Sequence, residues 1–144
     1  MGLIWKLDQD GIDWDELSEL YRVAPLGIKG ASLLESVFTN SMYKCFVFEN
    51  DRLVGVGRAL ADGSDCSYLC DLAVHPDLQG TGLGKAIMQR LIDLSSGHKK
   101  IILYANPGTE GFYGRLGFLK MKTAMAVFAD PDKAIGSGLL RAAD

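Results

Sequence analysis

The chain has 144 residues, 48% apolar and 23% charged, which is ordinary for a globular protein and enough for one sizeable core. A net charge of −3 argues against a nucleic-acid binder, which normally shows a basic face, and no apolar run reaches the roughly 18 residues that cross a bilayer. Three cysteines, Cys45, Cys66 and Cys70, are odd in number and lack metal or redox spacing, so they read as reduced core thiols of a cytoplasmic protein.

Residues 2–7, GLIWKL, read as an opening strand, with neither the basic nor the apolar region of a signal peptide. In DWDELSELYRVA, Trp14, Leu17, Leu20 and Tyr21 recur at helical spacing behind Asp13, a suitable N-cap. Pro25 and Gly27 interrupt this helix. GASLLESVFTN then offers Leu33, Leu34, Val37 and Phe38 as the apolar face of a second one. KCFVFE and RLVGVGRAL are strands joined by a short turn at Asn50 and Asp51, hence an antiparallel hairpin. CSYLCDLAV is a further strand, stopped at His75 and Pro76 because proline cannot donate to a ladder.

A glycine-rich loop follows, and then a helix with Leu83, Ile87, Leu91 and Leu94 on one stripe. KKIILYA is a short strand, Asn106, Pro107 and Gly108 form a turn, and TEGFYGRLGF is a short helix that Gly117 caps. FLKMKTAMAVF is expected to return as a strand. The tail, 130–144, is expected to be mobile or a short lid. The order β-α-α-β-β-β-α-β-α-β describes a mixed α/β sheet in a single domain, 1–144.

The loop HPDLQGTGLGK admits three readings. A nucleoside-triphosphate P-loop needs glycine where Gln79 stands and a magnesium-binding hydroxyl where Ala86 stands, so it fails twice. A dinucleotide fingerprint would begin at Gly80 and Gly82 but needs its third glycine at Lys85. The remaining reading takes Gln79, Gly80, Thr81, Gly82, Leu83 and Gly84 as Q-x-x-G-x-G between a strand and an amphipathic helix. Glycines lack Cβ, so the amides of residues 80–85 can close on a diphosphate, helped by the positive end of the helix dipole.

This hexad resembles the pyrophosphate-binding motif of the GNAT N-acetyltransferases. FYGRLGF, residues 112–118, resembles the FYxxLGF signature of the same superfamily. Both motifs occur in register over residues 71–118. The resemblance implies a GNAT-type mixed, mostly antiparallel sheet flanked by helices, with acetyl-CoA as donor and no metal. It implies direct transfer to a primary amine in a ternary complex, so the cysteines need no catalytic role. Leu72, Ala73 and Val74 match the splayed strand segment that meets the pantetheine arm, with the Val74 amide as oxyanion donor. Gln79, Gly80, Thr81, Gly82, Leu83, Gly84 and Lys85 match the diphosphate loop, and Asn106 a position that meets the cofactor.

Tyr113 is the expected general acid for the departing thiolate, since a phenol and an alkylthiolate are matched in proton affinity. Asp71 is a candidate base, or equally a strand carboxylate bonded to backbone or to a basic side chain. His75 and His98 sit in loops, where solvated histidines are common.

Acceptor sites in this superfamily are usually lined by the first two helices and the late strands, here about residues 17–38 and 121–128. Asp8, Asp10, Asp13, Asp15, Glu16 and Glu19 form either a solvated acidic face or a surface for a cationic amine. Small aryl- or alkylamines, polyamines, and protein N-termini or lysines all stand as acceptors. A non-catalytic acyl-CoA-binding module on the same fold is the alternative from another class. Expected partners are acetyl-CoA and an amine, with neither nucleic acid nor membrane, and a homodimer is left open.

Overall fold

The computed structural model describes residues 2–143. They form two compact units, one ending at Leu103 and one beginning at Tyr104.

The first unit opens with β1 (Ile4–Lys6), followed by α1 (Trp14–Val23) and α2 (Ala31–Thr39). Asp13 starts α1 as its composition predicts: its carboxylate accepts from the N–H groups of Asp15 and Glu16 at 3.0 and 3.2 Å. β2 (Tyr43–Glu49) and β3 (Arg52–Ala61) form the expected hairpin. Asn50 and Asp51 both take positive φ, 50° and 62°, matching the right-handed twist of the strands they join. β4 (Cys66–Val74) and β5 (Lys100–Ile102) complete a sheet ordered β1-β2-β3-β4-β5. The first four strands pair antiparallel, and β4 pairs with β5 in parallel.

Strand periodicity decides what covers each face. Phe46, Val56 and Ala73 pack with Leu17, Leu20, Tyr21, Leu34 and Phe38 of α1 and α2 in the main core. Gly55 and Gly57, on the opposite face of β3, lie under α3 (Leu83–Leu94). A Cβ at Gly55 would stand 2.7 Å from Ile87 Cδ1, and one at Gly57 2.9 Å from Leu91 Cδ1. The VGVG run of β3 is therefore the seat of α3, with glycine required by close approach and not by φ.

β4 carries a bulge. Val56 pairs with Ala73 but Arg58 with Cys70, so Asp71 and Leu72 together oppose Gly57, and Asp71 takes a left-handed φ of 59°. Ser67 bonds Ser95 at the end of α3 at 2.7 Å, whereas Ala73, an even number of residues later, lies in the core on the other face. The extra residue reverses the pleat.

The second unit contains α4 (Glu110–Gly114) and α5 (Pro131–Gly136). The strand expected over 118–128 is not formed. Leu119, Met121, Met125 and Val127 do alternate, but all four are exposed. Alternation marks a face to bury, yet a strand forms only against a ladder neighbour, and this unit supplies none among its described residues. The tail is partly helical: Asp130 caps α5 through Lys133 N–H at 3.1 Å, and Gly138 lies against Pro107. Leu33 is also exposed, leaving Leu34 and Phe38 as the buried stripe of α2.

Candidate functional site

β4 is longer than its neighbour β5. The two pair only where Cys66, Ser67 and Tyr68 meet Lys100, Ile101 and Ile102, so β5 has ended before β4 reaches its bulge. Beyond that point the direction of each amide is set by pairing with β3. His75 N–H donates to Val54 O at 2.8 Å, which brackets Gly55 and Val74 as a non-hydrogen-bonded pair. The Val74 N–H therefore points away from β3, toward the side that β5 leaves open. Ala73, one residue earlier, turns its amide to β3 instead, and Leu72 belongs to the bulge. Of the three residues matched to the cofactor arm, Val74 has the amide suited to polarising a carbonyl.

The glycine loop continues from Val74. His75 Nδ1 accepts from Asp77 N–H at 3.1 Å, starting a 3-10 turn over Pro76–Leu78. The Gln79 side-chain amide donates to Val74 O at 3.0 Å and to Ala24 O at 3.2 Å. It ties the loop to the ends of β4 and α1, an anchoring role that the motif alone does not specify. Thr81 spends its hydroxyl on Leu78 O at 2.5 Å.

Gly80 and Gly82 take φ of 80° and 89°, a region side chains rarely adopt, and no heavy atom lies within 4 Å of a Cβ at either. Gly82 is the N-cap of α3 and offers no side-chain acceptor. The first helical bond runs from Ala86 N–H to Gly82 O at 3.0 Å, so the N–H groups of Leu83, Gly84 and Lys85 come before the ladder begins. Open amides at the positive end of a twelve-residue helix fit a diphosphate. Lys85 is exposed on that first turn.

A cavity of about 610 Å³ opens on the other flank of the loop, lined by Trp5, Arg52, Asp77, Thr81, Gly82 and Ala86 among others. It faces the β1 end of the sheet, remote from the β4–β5 gap. Arg52 is already paired with Asp77 at 3.1 Å.

Asp71 is not a free carboxylate. Arg58 Nε donates to its Oδ2 at 2.8 Å, and Arg58 Nη1 reaches Ser41 Oγ at 3.2 Å. Tyr21, buried in the core, donates its hydroxyl to the Asp71 carbonyl at 2.7 Å. Burial first, and the Asp71 charge second, push the Tyr21 phenol well above its usual range, so it stays a donor. Burial lowers the Arg58 proton affinity, but the bond to Asp71 and nearby negative groups outweigh it.

Neither Tyr21 nor Arg58 stands out as functional in the sequence. Arg58, inside the otherwise apolar LVGVGRAL, is the one available signal, since a buried charge needs a partner.

In the second unit, Tyr113 is half-buried, with Phe112 and Phe118 edge-on at 5.0 and 6.1 Å between ring centroids. Burial raises its phenol above the ordinary value. Asn106 is exposed, and its carbonyl accepts from Thr109 N–H and Oγ1 at 3.1 and 2.6 Å. His98 is structural: its ring bonds Ser95 O at 2.8 Å through Nδ1 and accepts from Gly63 N–H at 3.0 Å through Nε2.

Four of the six acidic residues near the N-terminus have local partners for their carboxylates. Asp8 pairs with Lys6 at 2.7 Å, Asp13 caps α1, Glu16 accepts from Leu53 N–H at 3.1 Å and Glu19 pairs with Arg22. Leu26, Ile28 and Leu33, in and after the α1–α2 connection, are exposed.

A model of the acetyltransferase (GNAT) family matches residues 12–118. The chloroplastic GCN5-related N-acetyltransferase 1 of Arabidopsis thaliana is 30% identical over 144 residues, covering 97% of this chain and 68% of that protein. The uncharacterized N-acetyltransferase ycf52 of Pyropia yezoensis is 30% identical over 121 residues, which is 81% of this chain but 65% of the algal protein. The chain thus spans just under two thirds of that relative's length. The chloroplastic serotonin N-acetyltransferase 2 of Oryza sativa subsp. japonica is 42% identical over 92 residues, 62% of this chain and 42% of its own. Among solved structures, the probable acetyltransferase SA2161 of Staphylococcus aureus superposes with a TM-score of 0.77 at 21% identity, over 88% of this chain and 99% of that one. That likeness is one of fold.

Proposed function

The chain belongs to the GNAT acetyltransferase family, and from that premise we propose that it transfers the acetyl group of acetyl-CoA to a small, apolar primary amine by direct attack. The observation that carries this reading is the uncapped first turn of α3 behind Gly80 and Gly82, continuous with a strand end whose Val74 N–H points to the open side. The donor supplies an activated thioester. The chain's own residues bind, orient and move protons. Open amides within residues 80–85, those of Leu83, Gly84 and Lys85 foremost, hold the diphosphate, and Val74 N–H stabilises the carbonyl oxygen as it becomes an oxyanion, worth about 2.7–4 kcal/mol of barrier for one such donor. Tyr113 is assigned, from its place in FYGRLGF alone, as the group that returns a proton to the leaving thiolate. Asp71 Oδ1, the oxygen that Arg58 leaves free, takes the proton of the attacking amine, directly or through water.

Direct transfer is supported by the thiols. Burial pushes Cys45 to about 12 and Cys70 to about 11, so neither is a thiolate at neutral pH. These free thiols also support a reducing compartment as the working environment.

An aryl- or alkylamine is favoured over a polyamine because most of the early carboxylates, those of Asp8, Asp13, Glu16 and Glu19, are engaged locally while Leu26, Ile28 and Leu33 face outward. The rice relative, named for acetylation of the arylalkylamine serotonin, points the same way. The test is thiol release from acetyl-CoA with a panel of arylalkylamines, alkylamines, polyamines and lysine peptides. Arylalkylamines should react fastest. A polyamine or peptide preference would overturn the acceptor, and tight coenzyme A binding beside a silent panel would replace the enzyme with a non-catalytic acyl-CoA module.

A further inference from the structure

The Asp71 backbone is held in a conformation that its residue type does not favour. A non-glycine residue at φ 59° persists only where its surroundings over-determine it. Here the surroundings are specific. Tyr21 reaches from α1 to the Asp71 carbonyl at 2.7 Å, and Arg58 reaches from β3 to the Asp71 carboxylate at 2.8 Å. Arg58 also bonds Ser41 at 3.2 Å, and Ser41 in turn donates to Val37 O of α2 at 2.6 Å. Backbone and side chain of the bulged residue are thus gripped separately, by one group from α1 and one from β3. The bulge sits three residues before Val74 and sets the pleat that aims the Val74 amide.

We propose that Tyr21 and Arg58 are positioning residues for acyl transfer: by clamping Asp71 in the bulge, they fix the direction of the Val74 N–H. The proposal rests on the reading of Val74 as the carbonyl's donor. Neither residue touches a reactant. Their effect belongs on the chemical step and not on the diphosphate, which is held further along by residues 80–85.

The test uses Tyr21→Phe, which removes one oxygen from a packed ring. Amide resonances of Leu72, Ala73 and Val74 should move, while those of residues 80–85 stay in place. With the amine found by the panel, kcat should fall about 10- to 100-fold while the calorimetric Kd for coenzyme A stays within about twofold, because the lost interaction matters only at the transition state. Arg58→Lys, too short to span Asp71 and Ser41 together, should move the same resonances by less, and serves if Tyr21→Phe does not fold. Adding Asp71→Gly to Tyr21→Phe should return the Val74 resonance toward wild type, since glycine takes a left-handed φ without strain. A motionless Val74 amide would overturn the clamp, as would equal losses in kcat and coenzyme A affinity. If the wild type acetylates no amine, the functional reading fails, and the amide resonances still decide the clamp.

Discussion

Tyr113 illustrates how much a single side chain's surroundings decide. The two phenylalanine rings beside it exclude water on two sides, and burial raises its phenol above the ordinary value of 10.0. In the proposed role of general acid the neutral phenol is the form that donates, so a raised value would extend the working range upward: donation would be complete at neutral pH and lost only above the range of an ordinary tyrosine. Tyr113→Phe should lower kcat by about 100-fold or more, leave the coenzyme A Kd unchanged and abolish the alkaline decline in the pH–rate profile. Initial rates against pH, beside calorimetry, check all three. Gln79 gives the contrasting lesson. It belongs to the recognised hexad, yet its amide is committed to two backbone carbonyls, so its contribution is to hold the loop.

The elements owe their arrangement to a few tight contacts. α3 rests on Gly55 and Gly57, and Gly57 has an ordinary negative-φ strand backbone, so Gly57→Ala acts through packing alone. The added methyl would press on Leu91 Cδ1 at 2.9 Å and Ile87 Cγ2 at 3.0 Å, costing about 1–3 kcal/mol. Urea unfolding should show a lower midpoint with an unchanged slope. The β3–β4 connection depends instead on charge. Asp62 accepts from the N–H groups of Asp65, Ser64 and Cys66, which hold its carboxyl at about 2, below the usual 3.8. A depressed folded value stabilises fully above the unfolded one, and the contribution is lost as pH falls from about 4 toward 2. Asp62→Asn should flatten the acid limb of the stability–pH curve in that window and leave its shape near neutrality unchanged. Thermal melts at stepped pH would show it.

Across the whole molecule, three free cysteines accompany a site for which we propose direct transfer without a covalent intermediate. Incubation with acetyl-CoA and no amine should leave the intact mass of the protein unchanged, and an acetyl-cysteine at any position would refute direct transfer. The sequence by itself determined the order of elements through α4, the Asp13 cap, the Asn50 and Asp51 turn and the two glycines at the mouth of α3. Each depends on local periodicity or on backbone freedom, which residue type controls directly. It also determined family membership, because Q-x-x-G-x-G and FYGRLGF are short, ordered and correctly spaced. It misjudged residues 118–128, whose alternation is local but whose strand needs a ladder neighbour. Only the tertiary structure decided that Asp71 is an ion-paired bulge residue and that Tyr21 holds its carbonyl, and it supplied the pairing reason for the direction of the Val74 amide that the resemblance had already singled out. Register, a bulge and a bond between residues fifty positions apart are properties of pairing, and pairing leaves no trace in either partner's own stretch of chain.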